Sequence, residues 1–401
     1  MPQQYKDPAG GTPAAIGSQV RTDFFDRKAL FETREDRYFV QTADVTAMPK
    51  HYGKKIKKFH MMPLIDDRNV NDQGIDAAGA AQVATDGGNL YGTSKDIGRI
   101  KSKLPLIGEN GGRVNRVGFT RLELEGTMEN YGMFHEFTED LLNFDNMSDL
   151  YENISRELVS GAVQMTEAML QIDLIDAAGV VRYAGDAVSK ASMTGEGTIS
   201  TVSYADLQKL SITLDNNRSP KSMKMIKGTS KFDTVTVANG RLAYCGSELI
   251  PTLTKMTDHF GNPAFVSVEH YGYAGSHKEG TNMLHGEIGK VGAFRIVVHP
   301  QMLSEEGVGA TESANEGYRA TSGKYDIFPL VAVGSGAFTT IGFQTGGGAD
   351  FKFKIITRMP GEVVTPEDPY AKTGFSSLQF WYGFMPLRQE RIAVQWSVAE
   401  L

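Results

Sequence analysis

Residues 146–179 read NMSDLYENISRELVSGAVQMTEAMLQIDLIDAAG, and this stretch decides the fold. Its apolar side chains recur at steps of three and four, which averages close to the 3.6-residue period of an α-helix. The predicted core face consists of Leu150, Ile154, Leu158, Met165, Met169 and Ile172, together with Ala162 and Ile175. A second apolar row runs beside it and consists of Tyr151, Val159, Val163, Leu170 and Leu174.

Both ends of this stretch carry helix signals. Asn146 or Ser148 can accept hydrogen bonds from the free amides of the first turn, and Gly179 can adopt the left-handed conformation that ends a helix. A helix of this length is a rod of roughly 45 Å, longer than an average globular helix. We interpret it as a scaffold for the rest of the chain; the alternative is an ordinary long core helix of an α/β enzyme.

The bulk composition describes a globular chain without a disulfide framework. With 401 residues the chain is long enough for two or three domains, and 40% hydrophobic and 22% charged residues are ordinary values. Cys245 is the only cysteine in the sequence. An internal disulfide and a cysteine-based metal cluster are therefore excluded, and a reducing compartment is favoured.

No segment of the sequence predicts secretion or membrane insertion. The N-terminal residues MPQQYKDPAGG contain no apolar signal-peptide core, and no run of about eighteen apolar residues occurs. The net charge of -7 argues against a dedicated nucleic-acid-binding protein.

Residues 1–53 read as an extended arm. The segment begins with Pro, Gly and Ala and continues with aromatic residues set between charges, among them Phe24 and Phe25. It holds too many aromatic residues for simple disorder and too little periodicity for an independently stable unit. We expect the arm to pack on another surface, with Phe24 and Phe25 as contact residues.

A basic segment, GKKIKKFH at residues 53–60, begins at the end of the arm. Its lysines alternate in part with apolar residues, and they are Lys54, Lys55, Lys57 and Lys58. One interpretation is a solvated strand edge that the lysines protect from unwanted pairing. The other is a contact surface for an acidic neighbour or for phosphates.

The chain then makes a long excursion, residues 64–118, which is rich in Gly, Asp, Asn and Ala. Its apolar island LPLIG supplies Leu104, Leu106 and Ile107 as candidate contact residues. A loop of this length is unusual inside a compact domain and tends to be functional. Strand patterns at 56–64 and 119–137 bracket it and predict an extended hairpin, after which Thr138 begins a short helix.

The C-terminal half alternates between helical and strand patterns. Residues 204–217 predict a second amphipathic helix, and residues 241–253 carry a further helical pattern that stops near Pro251. Strands are predicted at residues 232–238, 296–298, 327–333, 338–343, 351–357, 377–385 and 390–397.

A search for catalytic and cofactor-binding motifs finds none. The glycines around Lys290 lack the spacing and the Ser or Thr of a phosphate-binding loop, and neither a dinucleotide fingerprint nor a Gly-x-Ser-x-Gly elbow occurs. The four histidines between residues 259 and 285 have spacings that match no zinc motif. Nothing around Cys245 stabilises a thiolate, so a buried hydrophobic role is favoured. We predict no catalytic residue, no cofactor and no metal.

One motif and the order of the parts resemble a known family. Residues 282–300, NMLHGEIGKVGAFRIVVHP, are similar to a segment of the major capsid proteins of tailed phages related to the schitoviruses. The order also agrees: an aromatic arm, a long excursion between two strands, TEDLLNF before a long helix, a second helix, and a terminal FWYGFMPLRQERIAVQWS.

The resemblance implies the α+β Johnson fold of tailed-phage and herpesvirus capsid proteins. The implied domains are an N-terminal arm at 1–53, an E-loop at 54–137, a peripheral (P) domain at 138–199 with the spine helix 146–179, an axial (A) domain at 200–350, and C-terminal strands at 351–401 that return to the P domain. The arm, the basic segment and the excursion are then the expected contacts between subunits.

The implied function is a viral major capsid protein that self-assembles, as pentamers and hexamers, into an icosahedral shell around double-stranded DNA. Its expected partners are copies of itself, decoration, scaffold and portal proteins, and packaged DNA on the inner face without sequence specificity. No membrane partner is expected. The protein would be made in the bacterial host cytoplasm and reside in the virion capsid. Two alternatives stay open: a cytoplasmic enzyme with an unrecognised site, and another phage structural part such as a decoration or tail protein.

Overall fold

Helices and strands alternate along the part of the chain that the computed structural model describes. The described residues are 38–48, 53–61, 109, 121–144, 150–226, 234–237, 240–270, 284, 286–312, 317–345, 348–349, 354–362, 364, 366 and 368–400. The helices are α1 (Glu139–Phe144), α2 (Leu150–Asp176), α3 (Tyr204–Asn216) and α4 (Ile250–Thr254). The strands are β1 (Asp44–Met48), β2 (Lys55–Met61), β3 (Arg121–Thr138), β4 (Val180–Tyr183), β5 (Met223–Ile226), β6 (Thr234–Val237), β7 (Arg241–Cys245), β8 (Phe265–Ser267), β9 (Glu287–Val291), β10 (Phe294–Val298), β11 (Ala320–Thr321), β12 (Lys324–Tyr325), β13 (Phe328–Val333), β14 (Phe338–Thr345), β15 (Gly348–Ala349), β16 (Lys354–Arg358), β17 (Thr373–Pro386) and β18 (Ile392–Ser397).

Most of the predicted elements are present, with an error at residues 241–253. Helices α2 and α3 lie within their predicted ranges, and the Thr138 hydroxyl accepts the amide of Leu141 at 3.3 Å where α1 begins. The helical pattern of 241–253 is wrong, because Arg241–Cys245 forms β7 and α4 begins at Ile250. Every residue of β7 is buried, so the strand shows no alternation that would identify it.

The chain divides into two compact units. Of the described residues, the first unit holds those within Gly132–Ala162 and Lys354–Gln379, and the second unit holds the others. Strands β3 and β17 and helix α2 contribute residues to both. The predicted division into arm, E-loop, P domain and A domain follows other boundaries and stays a prediction.

The first unit contains a strand pair and the helix α1. Strands β16 and β17 pair antiparallel there, from Lys354 opposite Gln379 to Arg358 opposite Phe375. Gly374 is required in this pair, because a Cβ would lie 2.6 Å from the Phe137 ring and 2.8 Å from a backbone oxygen. Local packing of small and aromatic residues therefore sets the register.

Helix α2 buries only one described member of the predicted core face, Ala162, together with residues outside that face. The buried residues of its C-terminal half are Ala162, Thr166, Glu167, Leu170, Gln171 and Leu174. The predicted core residues Met165 and Ile172 are instead 42% and 48% exposed, so their assignment to the core is wrong. The half-buried members of the predicted face are Ile154, Leu158, Met169 and Ile175, and the side chain of Leu150 lies outside the described residues. Leu170 and Leu174 of the second apolar row are fully buried. The buried Thr166 satisfies its hydroxyl within the helix, where Oγ1 donates to the Val163 carbonyl at 2.7 Å.

A mixed sheet forms the core of the second unit. Its strand order is β4-β18-β13-β7-β10-β9-β8, with β7 parallel to β10 and β4 parallel to β18. Helix α3 packs on it through Leu207, Leu210 and Leu214, and it begins with a capping box at Ser203. Cys245 belongs to the same core and is fully buried, which confirms its predicted role as a small hydrophobic residue. Its burial raises the pKa of the thiol to about 12.

A second sheet contains the predicted hairpin. Its strand order is β1-β14-β17-β3-β2, and β2 pairs antiparallel with β3 from Lys55 opposite Thr127 to Met61 opposite Arg121. The predicted pairing of the two strands that bracket the excursion is thus confirmed. Met128 is buried against this sheet, and a Cβ on Gly126 would lie 2.6 Å from Ile341.

A 3-10 turn at Gln389–Arg391 joins several elements of the second unit. The amide of Gly179 donates to the Gln389 carbonyl at 3.0 Å, and Asn217 Nδ2 donates to the Glu390 carbonyl at 2.8 Å. The Glu390 side chain is only 4% exposed, and its Oε2 has no hydrogen-bond partner among the described residues. Burial therefore raises the pKa of Glu390 to about 7.

We expect Leu170→Ala to lower the free energy of unfolding by about 2–5 kcal/mol, because it removes fully buried methyl groups and leaves a cavity. Met165→Ala, on the exposed side of the same helix, is the matched control, and we expect a change below about 1 kcal/mol. Urea unfolding of the unassembled protein, followed by circular dichroism, measures both values. Equal losses in the two variants would contradict the observed core face.

We expect Glu390→Gln to remove a pH dependence of stability between about pH 4.5 and 7. In the wild-type protein the folded state keeps this proton to about pH 7, whereas the unfolded chain loses it near the ordinary value of 4.5. The contribution of Glu390 to the free energy of unfolding is thus complete below pH 4.5 and is lost as the pH rises through 7. This contribution is on the order of 3 kcal/mol in total. Urea unfolding across this pH range measures it, with the exposed Glu269→Gln as control. Parallel profiles for wild type and Glu390→Gln would refute the assignment.

Candidate functional site

The hairpin of β2 and β3 carries a ladder of opposite charges on its exposed side. Lys55 forms an ion pair with Glu125, Lys57 forms one with Glu123, and Lys57 Nζ also lies 3.8 Å from Glu125. Lys57 and Glu125 are opposite each other in the register, so the hairpin itself aligns the charges. The hydrogen bond to Glu123 raises the pKa of Lys57, and the bond from Lys55 lowers the pKa of Glu125. Such exposed pairs contribute little to the stability of the chain.

The predicted basic surface of four lysines is divided between the two sides of β2. Lys58 turns away from the ladder, where its Nζ donates to the Thr46 hydroxyl at 2.6 Å and burial lowers its pKa. Lys54 Nζ lies 6.0 Å from the centre of the Trp381 ring. Since the outward lysines are paired with carboxylates of the same chain, the described hairpin favours an acidic and basic contact surface over a phosphate site.

The other predicted contact residues lie outside the described part of the chain. They are Phe24, Phe25, Leu104, Leu106 and Ile107. Their contact roles stay predictions.

Within the motif, Glu287–Val291 and Phe294–Val298 form the hairpin of β9 and β10 in the second unit. Glu287 and Arg295 form a bidentate ion pair across it, with Arg295 Nε 2.7 Å from Oε1 and Nη2 2.5 Å from Oε2. The two side chains are 0% and 8% exposed, respectively. A buried pair of this kind is tolerated because both partners are present with good geometry, and removal of one would leave an uncompensated charge.

The glycines of this motif allow close backbone approach. Gly286 has a φ of +74°, and a Cβ there would lie 2.9 Å from the Tyr38 ring. A Cβ on Gly289 would lie 2.4 Å from the Phe265 ring and 2.5 Å from the Val266 carbonyl. Both positions therefore require glycine for a geometric reason.

Tyr38 and Phe39, which we call the arm root, occupy a buried socket in the second unit. The socket consists of Glu167 on α2, Tyr244 on β7, His299 after β10, and Gly286. Glu167 accepts the amide of Phe39 at 3.2 Å and the amide of Val40 at 3.4 Å, one on each oxygen. The Tyr244 hydroxyl donates to the Tyr38 carbonyl at 3.2 Å.

Aromatic contacts complete the socket. The His299 ring centre lies 4.8 Å from that of Tyr38 and 5.4 Å from that of Phe39, and the Tyr244 ring centre lies 4.6 Å from that of Phe39. Burial lowers the pKa of His299 to about 4, so the imidazole is neutral at neutral pH. Its Nδ1 accordingly accepts the amide of Gln301 at 3.1 Å.

The sequence patterns missed this socket. Glu167 stands in an apolar helix row, and 128 residues separate it from Phe39. Hydrophobic periodicity relates residues within one helix or strand, so it cannot reveal a contact between positions so far apart. One signal was available, since an acidic residue within a buried row requires a hydrogen-bond partner.

The described residues contain neither a cluster of metal-binding side chains nor a membrane-spanning helix. Among them, no group of three or more His, Cys, Asp and Glu side chains is placed to hold a metal ion. In the same part of the chain, no helix combines the length and the apolar composition needed to span a bilayer.

Solved phage capsids share the fold of this chain at low sequence identity. The capsid of Ralstonia phage GP4 matches with a TM-score of 0.60 at 12% identity, over 97% of this chain and 98% of that one. The capsid of cyanophage P-SCSP1u matches with a TM-score of 0.51 at 10% identity, over 96% and 94% of the two chains. The head of Helicobacter pylori bacteriophage KHP40 matches with a TM-score of 0.51 at 8% identity, over 97% of both. The protein therefore has the α+β Johnson fold of tailed-phage capsid proteins.

Sequence comparison assigns the family. No protein-family model matches the chain. The major capsid protein of Pseudomonas phage KPP21 is 49% identical over 402 residues, which cover 100% of this chain and 98% of that protein. The chain belongs to the phage major capsid proteins. It is a structural protein of the virion capsid and not an enzyme; the narrower likeness to schitovirus capsids stays a prediction.

Proposed function

We propose that the chain self-assembles into the pentamers and hexamers of an icosahedral shell that encloses double-stranded DNA. The observation that carries this proposal is the full-length identity of 49% to a phage major capsid protein. A shell protein works through stable contact surfaces and needs no catalytic centre. Head-to-tail contacts between identical subunits close into rings when the angle between them permits.

The domain map of the family is part of this proposal. The antiparallel pair β2–β3 on either side of the excursion supports an E-loop at 54–137. Helix α2 supports a spine helix in a P domain at 138–199, and the mixed sheet with α3 supports an A domain at 200–350. In this map residues 1–53 are the N-terminal arm, and residues 351–401 are the C-terminal strands.

The contacts between subunits are proposed to lie on the limbs of the chain. The exposed charge ladder of the β2–β3 hairpin supports this, because paired exposed charges add little within the chain but can orient a neighbour. Phe24 and Phe25 of the arm are the further apolar contacts in this proposal, together with Leu104, Leu106 and Ile107 of the excursion. Limbs that bury modest areas make individual contacts weak, so wrongly placed subunits can leave before the shell closes.

The remaining partners follow from the same assignment. Packaged DNA would meet the inner face without sequence specificity, and the net charge of -7 limits how tightly the wall holds it. Scaffold, decoration and portal proteins are the other proposed partners. Synthesis is proposed to take place in the cytoplasm of the bacterial host.

We expect the purified protein to form capsomer rings or closed shells as its concentration rises, because assembly is driven by mass action. Negative-stain electron microscopy detects the particles, and sedimentation velocity gives their fraction at each concentration. Trimers or spikes would point to a decoration or tail protein. A monomer at every concentration, with and without added scaffold protein, would contradict the proposal.

Reversal of the charge ladder tests the contact surface. A quadruple variant exchanges the signs of all four charges: Lys55→Glu, Lys57→Glu, Glu123→Lys and Glu125→Lys. It keeps the attractions within the hairpin, but each position presents the opposite charge to a neighbouring subunit. We expect a wild-type melting temperature with at least about tenfold fewer shells, since like charges placed opposite each other oppose association. Lys57→Glu alone is the control that breaks a pair within the chain. Wild-type assembly by the quadruple variant would show that the ladder acts only within one chain.

A further inference from the structure

We propose that the arm root and its socket form a latch, in which Glu167 is the positioning residue that fixes the point at which the chain N-terminal to Tyr38 joins the second unit. The Tyr38–Phe39 peptide group is held on both sides: its carbonyl accepts from the Tyr244 hydroxyl at 3.2 Å, and its N–H donates to Glu167 at 3.2 Å. Glu167 of α2 and Tyr244 of β7, both in the second unit, therefore determine the position and the plane of one peptide bond.

The amides at the arm root need an acceptor because they open a helical turn. The segment Val40–Thr42 is a 3-10 helix, and its N-cap Phe39 has no side chain that can satisfy the first amides. Both oxygens of Glu167 serve this purpose, one for Phe39 and one for Val40. A carboxylate with two amide donors is a charge-assisted arrangement, stronger and more directional than neutral hydrogen bonds.

Burial makes the latch specific to one register of the chain. Phe39 is fully buried, Tyr38 is 8% exposed and Glu167 is 6% exposed. A shift by one residue would place Arg37 or Val40 in an aromatic pocket lined by Tyr244 and His299, and would leave the Glu167 oxygens facing other donors. Burial also raises the pKa of Tyr244, so its hydroxyl keeps the proton that it donates.

The latch accounts for the first glycine of the GEIGK motif. Gly286 contacts the Tyr38 ring, and a Cβ there would lie 2.9 Å from that ring. Gly292 provides a comparison, because it also has a positive φ, of +55°. A Cβ on Gly292 would lie no closer than 3.9 Å to its nearest neighbour, the Tyr204 ring. Of these two glycines, Gly292 serves the hairpin turn, whereas Gly286 also contacts the arm root.

The consequence for assembly rests on the function proposed above. If the arm residues before Tyr38 contact neighbouring subunits, the latch fixes the position of the peptide group that follows them. An open latch would leave the fold of the second unit intact but release that peptide group, which lowers the effective concentration of the arm contacts at the neighbour.

Amide hydrogen exchange of the unassembled full-length protein tests the latch directly. We expect Glu167→Gln and Tyr244→Phe to raise the exchange rates of the Phe39 and Val40 amides at least tenfold, while amides of β7, β10 and β13 keep their wild-type rates. Glu157→Gln, at an exposed position of the same helix, is the charge control and should leave all of these rates unchanged. Wild-type exchange at Phe39 and Val40 in both socket variants would overturn the proposal.

A glycine pair keeps the test valid if Glu167→Gln fails to fold. Gly286→Ala and Gly292→Ala both place a Cβ at a positive φ, and the Cβ of Gly286→Ala also lies 2.9 Å from the Tyr38 ring and 3.0 Å from the Val298 carbonyl oxygen. Exchange of the Val298 amide, which donates to the Gly286 carbonyl, therefore reports any shift of the hairpin itself. We expect faster arm-root exchange in Gly286→Ala alone, and equal exchange in the two variants would count against the latch.

Shell formation by the folded variants is then measured by electron microscopy, and the latch predicts at least tenfold fewer shells for Gly286→Ala than for Gly292→Ala. Failure of the wild-type protein to assemble would refute the proposed function, whereas the exchange result stands independently of it.

Discussion

Hydrogen bonds from buried and half-buried polar groups on and beside α2 hold distant segments of the second unit in place. Glu167 binds the amides of the arm root, Asp173 accepts the hydroxyl of Tyr382 on β17, and the amide of Gly179 donates to the turn at Gln389. Burial of an unpaired polar group costs more free energy than a typical hydrogen bond contributes. The helix can therefore be buried only when these segments are in position. The raised pKa of Asp173, caused first by burial, reflects the same constraint.

The elements predicted correctly from the sequence are those whose signal is local. The periods of α2 and α3 and the strand patterns on either side of the excursion can each be read within a few turns or strands. Strand β7 escaped detection because both of its faces are buried, which erases the alternation that identifies a strand. The socket of the arm root escaped for a different reason, since it joins residues 128 positions apart in the chain.

The resemblance to capsid proteins was informative because several residues of the motif at 282–300 are each required by a specific contact in the fold. Glu287 and Arg295 must change together if either changes, since each neutralises the other in a buried environment. Gly289 and Gly286 are restricted by rings that approach within the reach of a Cβ. A short segment with this many mutually dependent positions tolerates few substitutions.

The error in the predicted core face of α2 has a physical explanation in the function of the chain. Both apolar rows of the helix are genuine, but the single chain buries the row with Leu170 and Leu174 and leaves Met165 and Ile172 exposed. Apolar side chains that stay exposed on a helix are a favourable surface for a further contact. In a protein whose working form is an assembly, the second cover can come from another segment of the capsid and not from the core of one subunit. Periodicity reports that a face is apolar, but it contains no information about which chain covers that face. For a capsid protein, then, sequence patterns locate the helix reliably, and the assignment of its faces requires the folded chain.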